Sequence, residues 1–76
     1  MTKDVKAIFK WANQIGDANI THRILGKAMP FLIKEGLFLK DDMINSSESL
    51  EVSEEIFKII KDSAESLLGT AFEEEL

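Results

Sequence analysis

The sequence predicts a small, mainly α-helical domain that occupies residues 1–76 as a single unit. A chain of 76 residues is too short to divide between two hydrophobic cores. Three segments repeat apolar residues at three- and four-residue steps, which is the period of an amphipathic helix. Each segment is preceded by a Thr or Ser that can cap a helix and is followed by a Gly that can end one.

The first helix is expected over residues 3–15, with Thr2 as its N-cap and Gly16 as a left-handed residue after its end. Its apolar face comprises Val5, Ile8, Phe9, Ala12 and Ile15. Three lysines are expected on the opposite, solvent-facing side: Lys3, Lys6 and Lys10. Trp11 falls at the edge of the apolar face, so a neighbouring element covers it or it anchors a partner.

The second helix is expected to start at Thr21, as its N-cap, and to stop at Gly36. Its apolar face comprises Ile24, Leu25, Ala28, Met29, Phe31 and Leu32. Pro30 has no N–H to bond the carbonyl of Gly26, so the helix either bends there or splits, which would give four helices. Its other side carries a basic stripe, defined as Arg23, Lys27 and Lys34.

Between the second and third helices, residues 37–40 and 49–52 are two short segments that contain apolar residues. They are separated by a polar, turn-rich stretch, which predicts a small β-hairpin. The alternative is an irregular loop whose apolar side chains rest on the core.

The third helix is the most strongly patterned, with Ser53 as its N-cap and Glu54 and Glu55 in its first turn. Its predicted apolar face is Ile56, Ile60, Ala64, Leu67, Leu68 and Ala71, and its outer face is Glu54, Lys58, Lys61, Asp62 and Glu65. Ile59 projects away from the apolar face. Gly69 ends or weakens the helix, and Phe72 opens a fraying acidic end.

Charge is unevenly distributed along the chain. Residues 1–40 hold seven Lys or Arg against three Asp or Glu, and residues 41–76 hold two against eleven, so net charges of +4 and −9 sum to −5. Such asymmetry is typical of a nucleic-acid surface or an acidic interaction segment. The alternative is that the two halves fold together and largely neutralise each other.

The chain does not carry a recognisable catalytic or metal-binding set. It has no Cys and no Tyr, and its one His, His22, is expected at a helix start on the surface. A calcium loop starting at Asn45 fails, because Leu50 and Ile56 would occupy the positions of the required Gly and Glu. We therefore expect a protein that is not an enzyme and that uses no metal or cofactor.

No segment has the roughly 20 apolar residues that a membrane span needs, and the first 14 residues lack the core of a signal peptide. The expected location is the cytoplasm, without membrane association. The favoured function is a protein-interaction module, an adaptor or inhibitor that forms homodimers, as is typical of small accessory proteins of phages and mobile elements. The expected partner-binding residues are Trp11, Ile59, Glu54, Asp62 and Glu65.

Two alternatives stay open. One is a winged-helix-like regulator that binds nucleic acid through the basic stripe of Arg23, Lys27 and Lys34. Against it, the chain before the second helix has no room for the separate short helix of a helix-turn-helix unit. The other alternative is a structural subunit of a larger particle.

Overall fold

The computed structural model describes residues 1–37 and 49–73. Most of these residues are helical, which confirms the predicted mainly α fold. The order of elements is β1 (Thr2–Asp4), α1 (Lys6–Ile15), α2 (Ala18–Lys34), β2 (Glu51–Ser53) and α3 (Glu54–Leu68). The helices pack around one core, and none of these three described helices is long and apolar enough to cross a membrane.

The two strands form an antiparallel pair in which Lys3 lies opposite Val52. The prediction of a short strand before the last helix is confirmed, but its partner is the N-terminal segment, so this sheet is not the predicted hairpin. Of the other predicted strand, residues 38–40 lie outside the described residues. Asp4 Oδ1 accepts hydrogen bonds from the backbone N–H groups of Lys6 and Leu50, both at 3.0 Å. It thereby links the residue before β2 to the start of α1.

This pairing corrects the predicted start of the first helix. Thr2 belongs to β1 and is not an N-cap, and α1 begins three residues later than predicted. Lys6 was predicted on the solvent side but is only 3% exposed. Leu50 lies next to the start of this helix, where its carbonyl accepts the N–H of Val5 at 2.9 Å.

Two residues connect α1 to α2, and Asp17, not Thr21, caps the second helix. The N–H of Ile20 donates to Asp17 Oδ1 at 3.0 Å, while the buried Thr21 hydroxyl donates to the Asp17 carbonyl. The prediction that Gly16 is left-handed is wrong, since its φ is −102°. It allows a close approach instead, because a Cβ there would lie 3.0 Å from Leu68 Cδ2.

The second helix runs without a break through Pro30, so the fold has three described helices rather than four. Gly26, four residues earlier, has open space around its Cα, and the proline ring therefore meets no side chain at that position. Gly36 follows the helix with a φ of +79°, a conformation that favours glycine.

The third helix begins as predicted, and of the two alternatives for Gly69 the structure has the one in which it ends the helix. Ser53 Oγ accepts the N–H of Ile56 at 3.3 Å, and Gly69 adopts the left-handed conformation with a φ of +72°. The buried core draws on the three helices, on β2, and on Val5 and Leu50: Val5, Ile8, Phe9, Ala12, Ile24, Ala28, Leu32, Leu50, Val52, Phe57, Ile60 and Ala64.

Three residues assigned to apolar faces from the sequence are exposed. Ile15 is 52% exposed and Met29 is 37% exposed, because each lies at an edge of its helix that no described element covers. Ala71 is exposed because α3 ends at Leu68 and the chain turns away at Gly69.

Candidate interaction surfaces

Trp11 is half-buried, and the element that covers it is the C-terminal segment of the same chain. The ring of Phe72 meets the Trp11 indole edge-on at 5.0 Å between centroids. The same ring lies 6.4 Å from the Phe57 ring in a tilted arrangement. The prediction that Phe72 opens a fraying end is therefore wrong. Its ring joins α1 to α3 through an aromatic cluster.

The returning segment is held by its backbone as well as by its ring. After the left-handed Gly69, residues 71–73 have no regular structure. The N–H of Phe72 donates to Glu65 Oε2 at 2.7 Å, a charge-assisted hydrogen bond. Glu65, predicted as an exposed partner-binding residue, is thus half-buried and positions the chain's own end.

An open groove lies beside this aromatic cluster. Its volume is about 450 Å³. We call it the aromatic groove, and its walls come from β1, α1, α3 and the C-terminal segment: Lys3, Asp4, Ala7, Lys10, Trp11, Gln14, Phe57, Phe72 and Glu73. The volume is in the range of sites that hold small ligands or parts of peptides.

Charged groups stand at the rim of the aromatic groove. Lys3 Nζ lies 5.2 Å from the centroid of the Phe57 ring, within cation–π distance. Ala7 lies four residues before Trp11 on α1, and Lys10, one helical turn after Ala7, is exposed. Asp4 Oδ1 is already used by two backbone N–H groups. Three aromatic rings and two ammonium groups suit the binding of an apolar or aromatic group that carries a carboxylate.

A second surface lies on the outer side of α2. Met29 and Ile33 are four residues apart, so they are neighbours on the helix surface, and Ile33 is 56% exposed. The basic stripe of Arg23, Lys27 and Lys34 lies on the same helix, and all three residues are exposed. We call the combination of these five residues the α2 face.

The remaining predicted partner-binding residues lie on α3. Glu54 and Asp62 are exposed, and Ile59 is half-buried. None of these three lines the aromatic groove. Of the predicted set, the structure therefore brings together Trp11 and Glu65, through Phe72, and leaves the other three apart from them.

Two contributors to these surfaces were missed from the sequence. Phe72 was missed because its position depends on the turn after Gly69. Ile33 was missed although a signal was present, since it follows Met29 by four residues and falls outside the apolar face centred on Ile24, Ala28 and Leu32.

Comparisons with protein-family models, with curated proteins and with solved structures give no match to this chain. Within residues 1–37 and 49–73, no group of three or more His, Cys, Asp or Glu side chains could hold a metal ion. Function is therefore inferred from the two surfaces.

Proposed function

We propose that this protein is a non-enzymatic interaction module that binds an acidic protein partner through the α2 face. In this proposal it acts in the cytoplasm as an adaptor or inhibitor and forms homodimers. The observation that carries the proposal is that two exposed apolar side chains, Met29 and Ile33, share one helix with three exposed cations.

The apolar part of the α2 face supplies the centre of an interface. Ile33 and Met29 lie outside the core of the described fold, and a partner that covered their exposed parts would remove that apolar area from water. Apolar residues surrounded by charged ones are the usual arrangement of an interface core and its rim.

The charged part of the α2 face sets the chemistry of the partner. The helix Ala18–Lys34 carries Arg23, Lys27 and Lys34 and contains no Asp or Glu. Such a stripe favours an acidic partner through long-range steering and excludes a basic one. An amphipathic helix with an acidic edge would match a straight surface of this kind.

The acidic helix α3 does not neutralise the basic stripe in the described part of the fold. α2 packs on its neighbours through Thr21, Ile24, Ala28 and Leu32, whereas Arg23, Lys27 and Lys34 are exposed. Within residues 1–37 and 49–73, the charges of the two halves therefore do not cancel at this surface, which supports the binding of another molecule there.

The test is a pair of charge-matched variants in the full chain. Arg23→Glu/Lys27→Glu changes the α2 face, and Lys58→Glu/Lys61→Glu changes the charge of α3 by the same amount. Partners captured from nuclease-treated native cell extract are purified, and their binding is measured with each variant. We expect the α2 pair to weaken binding at least tenfold and the α3 pair to change it less than threefold. Equal losses in both pairs would refute the α2 face as the site.

Nucleic-acid binding is the second candidate, because the basic stripe is exposed on one side of a single helix. The element order does not support a winged helix, since only Gly16 and Asp17 separate α1 from α2. A duplex titration at increasing salt separates the candidates. An affinity that falls steeply with salt and is lost in Arg23→Glu/Lys27→Glu favours nucleic acid, and no binding at low salt excludes it.

A further inference from the structure

We propose that the aromatic groove is the self-association site of this chain. In the dimer, the segment around Phe72 of one copy leaves its own groove and fills the groove of a second copy. This deepens the homodimer part of the proposed function and rests on it. The exchange of identical segments needs no new complementary surface, because each copy already carries both the groove and the segment that fits it.

The contacts that seat Phe72 can all be made between two chains. They consist of the edge-on contact with Trp11, the tilted contact with Phe57 and the hydrogen bond from the Phe72 N–H to Glu65. Each joins the segment to a residue of α1 or α3. An exchanged segment would therefore recover the same contacts from the partner's helices.

The walls of the groove are held by other parts of the fold. Lys3 is paired with Val52 in the sheet, Phe57 is a buried core residue, and Trp11 stands on α1, whose other side is in the core. Removing the segment would uncover the Trp11 and Phe57 rings while leaving these supports in place. A vacated groove is thus able to accept the segment of another copy.

A hinge is present where the segment leaves α3. Gly69 is left-handed, and no atom lies within 4 Å of the place where its Cβ would be. Glycine has the widest range of backbone conformations, so the chain can change direction at Gly69. Such a change would release residues 70–73, which form no helix or strand.

The short connection defines how the copies must meet. Phe72 follows Gly69 by three positions, which corresponds to roughly 10 Å of extended chain. The two grooves must therefore face each other across the two-fold axis, with the exposed residues Ala7 and Lys10 of each copy near the interface.

The charges at the groove suit this occupant. Glu73 follows Phe72 and lines the groove together with Lys3 and Lys10. An aromatic residue followed by a carboxylate would place its ring against Trp11 and its charge beside the lysines. Phe72 and Glu73 supply this pattern in every copy.

The first measurement is sedimentation equilibrium of the full chain with two matched variants. Phe72→Ala removes the exchanged ring, and Ile33→Ala removes a similar exposed apolar side chain from α2. We expect Phe72→Ala to weaken dimerisation at least tenfold and Ile33→Ala to change it less than threefold. A dimer that is unaffected by Phe72→Ala overturns the exchange but leaves homodimerisation intact, whereas a parent chain that is only monomeric overturns both.

The second measurement uses Trp11, the single tryptophan, as a reporter. A Phe72→Ala chain has a vacant groove that contains Trp11, and a Trp11→Ala chain is silent but keeps its Phe72. Mixing them should shift the Trp11 emission to shorter wavelength and produce a mixed dimer by native mass spectrometry. The control donor is Trp11→Ala/Phe72→Ala. Equal emission with both donors would overturn the proposal. Because both donors carry Trp11→Ala, a loss of stability caused by that substitution does not affect the comparison.

Discussion

The aromatic groove and the α2 face both place apolar side chains beside cations, but only the groove is covered by its own chain. Phe72 rests on Trp11 and Phe57, and its N–H is bonded to Glu65. Within the described residues, no such segment returns over Met29 and Ile33. The groove therefore contributes to the stability of the single chain, whereas the apolar residues of the α2 face contribute little to it.

This difference separates two kinds of apolar surface in a small domain. A chain of 76 residues has limited area to bury, so an apolar residue that lies outside the core needs another explanation. At Trp11 the explanation is intramolecular. At Ile33 and Met29 it is a partner, as proposed above. Substitutions test this comparison. The expected change in the free energy of unfolding is largest at Phe57, in the wall of the aromatic groove, and smallest at Ile33, on the α2 face.

The largest effect is expected for Phe57→Ala. Phe57 is 4% exposed and belongs both to the core and to the groove wall, so its removal leaves a cavity and uncovers Phe72. We expect a loss of about 3–5 kcal/mol in the free energy of unfolding. Urea unfolding followed by circular dichroism measures it, and a loss below 1 kcal/mol would remove Phe57 from the core.

A smaller loss is expected for Phe72→Ala, measured at low protein concentration so that self-association does not contribute. Two ring contacts and a partly buried side chain are lost, which corresponds to about 1–2 kcal/mol. Trp11 should become more exposed, with emission at longer wavelength. Unchanged emission would mean that the segment does not cover Trp11.

Gly26→Ala is expected to act in the opposite direction. Gly26 lies inside α2 with open space around it, and Ala has the higher helix propensity. The free energy of unfolding should rise by about 0.5–1 kcal/mol. A thermal melt beside that of Gly36→Ala provides the control, because Gly36 has a φ of +79° and its substitution should destabilise the fold.

The smallest effect on stability is expected for Ile33→Ser. Ile33 is 56% exposed, and the two residues have similar helix propensities, so the free energy of unfolding should change by less than about 0.5 kcal/mol. Binding of the partner should fall at least tenfold. A variant that unfolds readily would show that Ile33 belongs to the fold and not to an interface.

Much of the fold could be predicted because its signals are local. Ser53 and Gly69 mark the ends of α3 with hydrogen bonds to residues three or four positions away, and both positions are confirmed. The spacing of Ile24, Ala28 and Leu32 likewise identifies the buried side of α2. Caps and helical periodicity depend on neighbours along the chain, so they can be recognised without the rest of the molecule.

The candidate surfaces were only partly predictable. Trp11 stood out because it lies at the edge of an apolar face, and the basic stripe followed from the spacing of Arg23, Lys27 and Lys34. That Phe72 covers Trp11 while Ile33 stays open depends on which elements meet, and helix periodicity alone does not contain that information.

The sequence by itself determined three amphipathic helices, their polar and apolar sides, and an uneven distribution of charge. Tertiary structure decided the pairing of residues 2–4 with residues 51–53, the burial of Lys6, and the return of Phe72 to Trp11. Each of these joins residues that are far apart in the chain or depends on a turn. Such contacts form only where several elements pack together, so local sequence patterns do not predict them.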